Sequence, residues 1–219
     1  MDNKSSVLLN KKISLIGDSI TEYNYRAAKN WCKWLEEECG CIVQNLGISW
    51  TGFTTENSPY IYRINSIDPD VDIIGVAISL NDLDAETEMG EVTDNTSNTV
   101  CGAANLFFKE LLEHFPNVPV IAYIENPWEK YRKGIRISDD YVRLMADVCA
   151  NLGIPFYDDL YSKGSVLKPW IQKNREEFFT ADNELFPEWI GVVDTDHPNS
   201  KGHRVIFKFL RSKFEDNVL

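Results

Sequence analysis

The sequence predicts an α/β fold, a three-layer flavodoxin-like sandwich in which helices cover a five-stranded parallel sheet. Two observations indicate this fold class. Short apolar runs alternate with longer segments of helical periodicity, and the third and fourth runs are apolar on both faces, as central parallel strands are. The five predicted strands are Ile13–Gly17, Ile42–Leu46, Val71–Ile78, Val118–Ile124 and Ile154–Tyr157.

Four helices are predicted in the intervals, joined to the strands by right-handed connections. Each has apolar residues at helical spacing and a capping or helix-stopping residue at one end. They are Trp31–Cys39, a segment from near Ser97 to before Pro116, a segment from Ser138 to Gly153, and a last helix after Asn199 or Ser200.

A single domain is expected to span residues 1–219, since that length suits one domain better than two. The segment at about 162–193 is long for a connection and is interpreted as an aromatic-rich insertion. Its aromatic residues either line an apolar acyl or sugar pocket or form the core of a small helical subdomain. They are Trp170, Phe178, Phe179, Phe186 and Trp189.

Charge and composition exclude several classes of function. The net charge of −12 should repel nucleic acid and anionic membrane surfaces. No apolar run approaches the roughly 18 residues of a membrane-spanning helix, and the N-terminal apolar stretch is short for a signal peptide. Five cysteines without a Cys-x-x-Cys pair fit reduced thiols in a cytoplasmic protein, and the Cys39–Cys41 spacing disfavours zinc.

A candidate nucleophile follows the first predicted strand. The strand leads into Gly17-Asp18-Ser19, which puts the Ser19 hydroxyl at the carboxyl edge of the sheet, where ligands bind in such folds. Gly17 is expected to let the backbone turn sharply there. The alternative interpretation is an ordinary turn at the start of a loop.

A candidate base and acid lie near the other end, in Asp194-Thr195-Asp196-His197. A serine hydroxyl needs a neighbouring base, and histidine performs this task when a carboxylate fixes its tautomer. The spacing of three puts Asp194 and His197 on one side of a turn, whereas Asp196 should point elsewhere. Asp194 is therefore the predicted orienting acid. Alternatively, His197 only caps a turn before the last helix.

Two more loops after predicted strands offer hydrogen-bond donors for an oxyanion. In Ser79-Leu80-Asn81-Asp82, the Asn81 side-chain amide could donate to a developing negative charge. In segment 45–52, two glycines and small residues let backbone N–H groups approach a ligand. Each motif also fits an ordinary turn or loop. All of these loops can reach one mouth of a doubly wound sheet.

Taken together, these four blocks resemble the SGNH hydrolases, also called the GDSL esterase/lipase family, over nearly the whole chain and in the family's order. The resemblance implies the SGNH hydrolase fold, with Ser19 as nucleophile, His197 as base and Asp194 as acid. It also implies an oxyanion hole formed by the Ser19 N–H, the Asn81 amide and a backbone N–H of the second block. No metal or organic cofactor is implied.

Two positions depart from the family's pattern. Ser79 stands where the third block normally begins with glycine, a small change that should be tolerated. Aligning Asn45-Leu46-Gly47 with the family's usual lead-in puts Trp50 at the oxyanion glycine, so its side chain must point away from the site or form its wall. Gly52 takes this role instead if the loop contains a two-residue shift.

The resemblance implies a serine ester hydrolase that forms an acyl-enzyme on a carboxylic ester. The acidic composition without an anchor favours a short acyl group, such as acetyl, on a carbohydrate or other small alcohol. The alternatives are a lysophospholipase or thioesterase of the same family, and a non-catalytic ligand-binding module on this scaffold. A flavin- or nucleotide-binding protein would need a glycine-rich phosphate loop, which one glycine after the first strand does not supply.

The expected partner is the small-molecule ester substrate, with no nucleic acid and no membrane insertion. The sequence leaves open whether the protein forms a homo-oligomer.

Overall fold

The computed structural model describes residues 6–55, 58–84, 87–125, 131–132, 135–163 and 165–218. Its strands are β1 (Lys12–Gly17), β2 (Ile42–Gly47), β3 (Ile73–Ala77), β4 (Val120–Tyr123), β5 (Tyr131–Arg132), β6 (Ile135–Arg136) and β7 (Phe156–Tyr157). Five of them form one parallel sheet in the order β2-β1-β3-β4-β7, and β5 pairs with β6 separately in antiparallel fashion. The flavodoxin-like order confirms the predicted fold class.

Two strands begin later than predicted because proline interrupts them. β4 begins after Pro119 and β7 after Pro155, and proline has no N–H to donate to a neighbouring strand. Both prolines still accept hydrogen bonds through their carbonyls, from Ile74 N–H and Ala122 N–H at 2.9 Å each. All residues of β3 and β4 are buried, as expected of strands covered on both faces.

Within the described ranges the chain forms six α-helices, four of which correspond to the predicted ones. The helices are α1 (Trp31–Cys39), α2 (Val100–His114), α3 (Ser138–Asn151), α4 (Asp159–Ser162), α5 (Gln172–Phe178) and α6 (Ser200–Asn217). Three short 3₁₀-helices lie at Tyr60–Ser66, Leu80–Leu83 and Pro187–Trp189. The sequence pattern did not predict α4 and α5, which are too short for a clear helical period.

Side-chain caps set the helix boundaries. The Asn30 side chain accepts a hydrogen bond from Lys33 N–H at 3.1 Å, and α1 ends at Gly40, whose φ of 71° lies in the left-handed region. Thr99 caps α2 by accepting from Gly102 N–H at 3.2 Å. This cap explains why α2 begins at Val100, later than the predicted start.

Two aromatic clusters fill the core beside the helices. α1 packs against α6 and α2 against α3, so the helices flank the sheet in two pairs. The cluster next to α1 and α6 contains Trp31, Tyr123 and Phe214, with ring centroids 5.8, 6.3 and 6.0 Å apart. The cluster next to α2 contains Phe53, Tyr60, Phe107 and Phe108.

The aromatic-rich segment divides between core and surface. It includes α5 and an isolated antiparallel bridge between Thr180 and Val193. Phe179 is fully buried and belongs to the core, whereas Trp170, Phe186 and Trp189 are partly exposed. Phe179 therefore fits the predicted role in a core. The partly exposed Trp170, Phe186 and Trp189 remain available for the predicted role in a pocket.

The five cysteines are buried free thiols. Burial raises the pKa of each thiol, to about 12 for Cys41 and Cys149 and to about 11 for Cys101. In the described part of the chain, no helix combines the length and the apolar composition needed to cross a bilayer.

Candidate active site

Ser19 lies in a tight turn just after β1, an interior strand of the sheet. The Asp18 carboxylate accepts from Ile20 N–H at 2.9 Å, and the Asp18 carbonyl accepts from Glu22 N–H at 3.0 Å. The Asn24 amide donates to the Ser19 carbonyl at 2.6 Å. These bonds fix the Ser19 backbone, while its N–H meets no acceptor within the described ranges.

Gly17 is required for space rather than for the sharp turn expected of it. Its backbone is not in the left-handed region. A Cβ at this position would lie 1.9 Å from Thr21 Oγ1 and 3.1 Å from the Ala77 Cβ. The turn folds back so tightly that the Thr21 side chain occupies the position where any other residue would place its Cβ.

Ser19 and His197 are hydrogen-bonded, as the sequence predicts. Ser19 Oγ lies 2.8 Å from His197 Nε2, and His197 Nδ1 lies 3.2 Å from each carboxylate oxygen of Asp194. An ionised carboxylate only accepts hydrogen bonds, so Nδ1 bears the proton and Nε2 is left to accept from the serine hydroxyl. This is the tautomer that a general base needs.

Both carboxylate oxygens of Asp194 accept hydrogen bonds. Its Oδ1 accepts from the backbone N–H groups of Asp196 at 2.7 Å and His197 at 3.1 Å, and its Oδ2 accepts from Arg26 Nε at 2.5 Å. Burial alone would raise the pKa of Asp194. The hydrogen bond and charge of His197, the Asp196 N–H and the Arg26 charge outweigh burial and hold that pKa well below its usual range.

The aromatic-rich segment anchors the loop that contains the acid and the base. Asp194 N–H donates to the Phe179 carbonyl at 2.9 Å, and Asn199 N–H donates to the Phe178 carbonyl at 2.7 Å. The Asn199 side-chain amide also donates to the carbonyls of Glu177 and Thr180, at 3.0 and 2.9 Å. The last turn of α5 thus fixes residues 194–199, a structural role that the sequence did not reveal.

Ser79, which stands where the family normally has glycine, forms hydrogen bonds with two blocks of the site. Ser79 is buried, and its hydroxyl donates to Asp18 Oδ2 at 2.5 Å while accepting from Asn81 N–H at 3.1 Å. Burial raises the pKa of Asp18, although bonds from Ile20 and Ser79 oppose this. The hydroxyl therefore ties the turn before the candidate nucleophile to the loop of Asn81.

Asn81 is buried at the start of the 3₁₀-helix Leu80–Leu83, with its side-chain amide turned toward the second-block loop. The Asn81 Nδ2 group donates to the Thr51 carbonyl at 3.2 Å. An amide nitrogen has two N–H donors, and this bond uses one of them. The contact puts Asn81 next to the peptide unit between Thr51 and Gly52.

Trp50 takes the backbone conformation of a glycine. Its φ is 63°, in the left-handed region that costs a residue with a Cβ about 1–2 kcal/mol. The indole side chain is 76% exposed, so it points away from the core. No acceptor for the Trp50 N–H is found among the residues that the structure describes.

Gly52 differs from Trp50 in the partner of its N–H and in the space for a side chain. Its N–H already donates to Thr55 Oγ1 at 3.0 Å, and a Cβ on it would lie 2.6 Å from Asp82 Oδ1. The Asp82 carboxylate fills this space because it accepts from the N–H groups of Phe53 and Thr54, at 3.1 and 2.8 Å. Of the two alternatives, the backbone geometry favours Trp50 as the second-block donor.

Two cations of the site were not predicted. Arg26 contacts Asp194 across 168 residues of chain, and Arg63 donates to main-chain oxygens next to the candidate nucleophile. Only Arg63 had a sequence signal that could have found it, as a lone charge inside the apolar stretch Tyr60–Ile64. Nothing in its local sequence distinguishes Arg26 from a solvated loop residue.

A cavity of about 510 Å³ opens beside Asn24, whose amide bonds to the Ser19 carbonyl. Residues of the loop before α1 and of α1 line one side, and Leu185 and Phe186 line the other. Ser19, His197, Asn81 and Trp50 are not among the described residues that line this cavity. Within the described ranges, no group of three or more His, Cys, Asp or Glu side chains is arranged to hold a metal ion.

A family model, the GDSL-like lipase/acylhydrolase family, matches residues 15–205. A search of curated proteins gave no match.

Solved structures share the fold along most of the chain. A protein from Lactobacillus plantarum is 24% identical, with a TM-score of 0.77 over 96% of this chain and 99% of that one. A member of the lipolytic protein G-D-S-L family from Veillonella parvula is 16% identical, with a TM-score of 0.57 over 93% and 98%. A family two carbohydrate esterase from Clostridium thermocellum, in complex with cellohexaose, is 16% identical, with a TM-score of 0.60 over 95% of this chain and 64% of that one.

The family match covers the turn of Ser19, the loop of Asn81 and the Asp194–His197 pair, and the sheet order agrees with it. On these grounds the protein belongs to the GDSL-like lipase/acylhydrolase family, a family of ester hydrolases.

Proposed function

We propose that this protein hydrolyses a carboxylic ester through an acyl-enzyme on Ser19. The observation that supports it most is the 2.8 Å contact between Ser19 Oγ and His197 Nε2, with Nδ1 of the same ring facing Asp194. A serine is activated as a nucleophile when an oriented imidazole can take its proton. The contact also favours a hydrolase over a ligand-binding module, because the exposed Trp50 ring does not separate the two side chains.

The proposed reaction has two halves. Ser19 Oγ attacks the ester carbonyl carbon as its proton moves to His197 Nε2, and the carbonyl oxygen becomes an oxyanion. The tetrahedral centre collapses, the bond to the alcohol oxygen breaks, and His197 returns the proton to that oxygen. Water then attacks the acyl-Ser19 ester with His197 again taking a proton, which releases the acid and restores the serine hydroxyl.

Three donors are proposed to bind the oxyanion: the Ser19 N–H, the Trp50 N–H and one N–H of the Asn81 amide. The first two have no acceptor within the described ranges, and the third belongs to an amide already fixed on the Thr51 carbonyl. Donors that are fixed before the reaction stabilise developing charge without reorganisation.

The proposed substrate has a short acyl group, such as acetyl, on a carbohydrate or other small alcohol. Trp50 offers an exposed flat apolar face next to the proposed oxyanion donors, on which a sugar ring could stack. One protein of the same fold is a carbohydrate esterase solved with cellohexaose. The net charge of −12 favours a neutral substrate.

A lysophospholipase or thioesterase is the second candidate, and one surface favours it. Exposed apolar side chains follow one another between Leu185 and Val193, beside the loop of the acid and base. Leu185 is 84% exposed and Ile190 is 51% exposed. Such a surface suits a long acyl chain better than an acetyl group.

We also propose that the protein works in the cytoplasm. The argument is that five free thiols are typical of a reducing compartment.

The decisive experiment compares Ser19→Ala with Ser212→Ala, which removes an exposed hydroxyl on α6. Hydrolysis of p-nitrophenyl acetate should fall at least about 10³-fold in Ser19→Ala and stay at the wild-type rate in Ser212→Ala. A fluorophosphonate probe should label the wild type and the control but not Ser19→Ala. Undiminished turnover by Ser19→Ala would rule out the proposed nucleophile.

The substrate class is tested with p-nitrophenyl esters of increasing acyl length and with an acetylated oligosaccharide. A kcat/KM that falls steadily beyond acetyl, together with release of acetate from the sugar, supports the first candidate. A maximum at long acyl chains, lost when Leu185 and Ile190 are changed to Ser, supports the second. A wild type that hydrolyses none of these esters but binds the sugar would support the ligand-binding module.

A further inference from the structure

The structure contains a buried cation behind the candidate oxyanion donors, with no part in the proposed reaction. Arg63 lies in the 3₁₀-helix Tyr60–Ser66 and is only 4% exposed. Its guanidinium carbon sits 4.6 Å from the centroid of the Tyr60 ring. Burial lowers the pKa of Arg63, but a guanidinium remains charged near neutral pH.

Within the described ranges, the hydrogen bonds of Arg63 go to neutral oxygens at strand ends and in loops that border the site. Its first terminal nitrogen donates to the Gly17 carbonyl and the Leu46 carbonyl, at 2.7 Å each. Its second terminal nitrogen donates to Thr51 Oγ1 and, at 3.4 Å, to the Ser58 carbonyl. One planar group therefore joins the end of β1, the end of β2 and the loop that follows β2.

Three of these acceptors lie close in sequence to the proposed oxyanion donors Ser19 and Trp50. Gly17 precedes the turn of Ser19, and Leu46 and Thr51 bracket the turn that contains Trp50. The Thr51 hydroxyl links Arg63 to a further residue of this turn, because it also donates to the Ile48 carbonyl at 2.6 Å. The separation between the Ser19 N–H and the Trp50 N–H therefore depends on the bonds that Arg63 makes.

The energetics also indicate a role beyond holding the fold together. Removing a guanidinium from water is costly, and among the residues that the structure describes no carboxylate is hydrogen-bonded to Arg63 to offset the cost. Hydrogen bonds from a charged donor are stronger than those between neutral groups. A neutral side chain could fill the space at lower desolvation cost, but it could not donate to these four oxygen acceptors at once.

We propose that Arg63 is a positioning residue that sets the spacing between the Ser19 N–H and the Trp50 N–H, and so the geometry in which an ester oxyanion binds. This inference rests on the proposed function. Within the described ranges, Arg63 makes no hydrogen bond to the side chains of Ser19, His197 or Asn81. Its effect should therefore be confined to the transition state, where the oxyanion exists, and should leave binding of the uncharged ester nearly unchanged.

The first test compares Arg63→Met and Arg63→Lys with the wild type in p-nitrophenyl acetate hydrolysis. We expect kcat to fall about 10–100-fold in Arg63→Met and less in Arg63→Lys, with KM within about threefold. Affinity for phenylboronic acid, which forms a tetrahedral adduct on a serine, should fall in the same proportion as kcat. Affinity for the product acid, which is not tetrahedral, should change little.

The control for lost stability is Leu210→Ala, a fully buried residue of α6 away from these loops. All rates are divided by the folded fraction measured by circular dichroism. If Leu210→Ala lowers the melting temperature as far as Arg63→Met but retains the wild-type kcat per folded molecule, the loss at Arg63 is not one of stability. A kcat of Arg63→Met within twofold of wild type, or a change in KM alone, would overturn the proposal.

A second pair of variants keeps the test valid should the Arg63 variants fail to fold. Thr51→Val removes the hydroxyl that accepts from Arg63, and Thr51→Ser keeps it. We expect kcat and boronate affinity to fall together in Thr51→Val and to fall less in Thr51→Ser, and equal values for the two would contradict the proposal. Ser19→Ala is assayed in parallel. Wild-type hydrolysis that does not need Ser19 contradicts the proposed function, whereas Ser19-dependent hydrolysis that is insensitive to Arg63 and Thr51 contradicts this inference alone.

Discussion

Arg26 Nε donates a 2.5 Å hydrogen bond to Asp194 Oδ2, the oxygen that also faces His197 Nδ1. Both partners are largely shielded, with 18% and 20% of their side chains exposed. The guanidinium and the imidazole thus contact the same carboxylate oxygen. It holds Asp194 ionised and in place, so that the imidazole ring keeps its orientation.

We predict that Arg26→Gln lowers kcat by about tenfold, because the carboxylate loses one of the donors that fix it. Asp194→Asn should lower kcat far more, by about 10³–10⁴, because an amide does not impose the same tautomer on His197. The matched control is Asp196→Asn, an exposed neighbour that should stay within twofold of wild type. Steady-state kinetics on a chromogenic ester measures all three, and a larger loss in Asp196→Asn would reverse the assignment of the acid.

The same contact predicts a pH dependence of stability. The pKa of Asp194 is lower in the folded than in the unfolded chain, so its stabilising contribution is present above about pH 4, the ordinary aspartate pKa. It is lost as pH falls through the folded-state pKa. The difference in unfolding free energy between wild type and Arg26→Gln should therefore be largest at neutral pH and shrink below about pH 4. Urea denaturation at a series of pH values measures this, and a constant difference would contradict the prediction.

Trp50→Gly should be more stable than Trp50→Ala by about 1 kcal/mol. Both variants lose the same exposed ring, but alanine keeps a Cβ at φ 63° while glycine adopts that conformation without strain. Because both retain the backbone N–H, turnover of a small ester such as p-nitrophenyl acetate should persist in each. Thermal melts of the two variants give the comparison, and a less stable glycine variant would contradict the strain argument.

Asn81→Ala should lower kcat by about 10²–10³ with little change in KM, the usual cost of losing one oxyanion donor. The matched control is Asn105→Ala on α2. Asn105 is buried like Asn81, and its amide also donates to main-chain carbonyls, those of Val92 and Asp94 at 2.8 Å each. The control should lose stability but not kcat. Equal kcat losses in the two variants would mean that Asn81 acts only through the fold.

His203 should make the protein less stable in acid. It is buried on α6, and burial, aided by the charge of His197, lowers the pKa of His203 to about 3. Between this value and the ordinary 6.5, the unfolded chain binds a proton that the folded chain does not, so stability falls by up to about 1.4 kcal/mol per pH unit on acidification. His203→Leu should flatten this slope, and His114→Gln, at an exposed histidine of α2, should not. Equal slopes in wild type and His203→Leu would contradict the assignment.

The sequence predicted the fold well because parallel strands buried on both faces leave an unmistakable pattern. Runs such as Ile73–Ala77 have no polar face, and the spaces between them are long enough for helices. The errors lie at the ends, where Pro119 and Pro155 delay the pairing, and in α4 and α5, which are about one or two turns long. Local patterns do not resolve such features.

The residues of the candidate site were predictable where each stands in a recognisable short motif. Asp194 and His197 are three residues apart, and Ser19 directly follows a strand. Arg26 and Arg63 act instead through contacts across 168 and 46 residues, which no local spacing encodes. Alignment puts Trp50 at the family's oxyanion glycine, but its left-handed backbone becomes visible only in the structure.

The hydrogen bond between Ser19 and His197 joins groups that are 178 residues apart. A ribosome therefore adds the proposed base 178 residues after the proposed nucleophile. A nascent chain would be unable to attack esters until α6 had left the exit tunnel and docked beside α1. The onset of hydrolysis during translation would consequently report that the two halves of the polypeptide have come together.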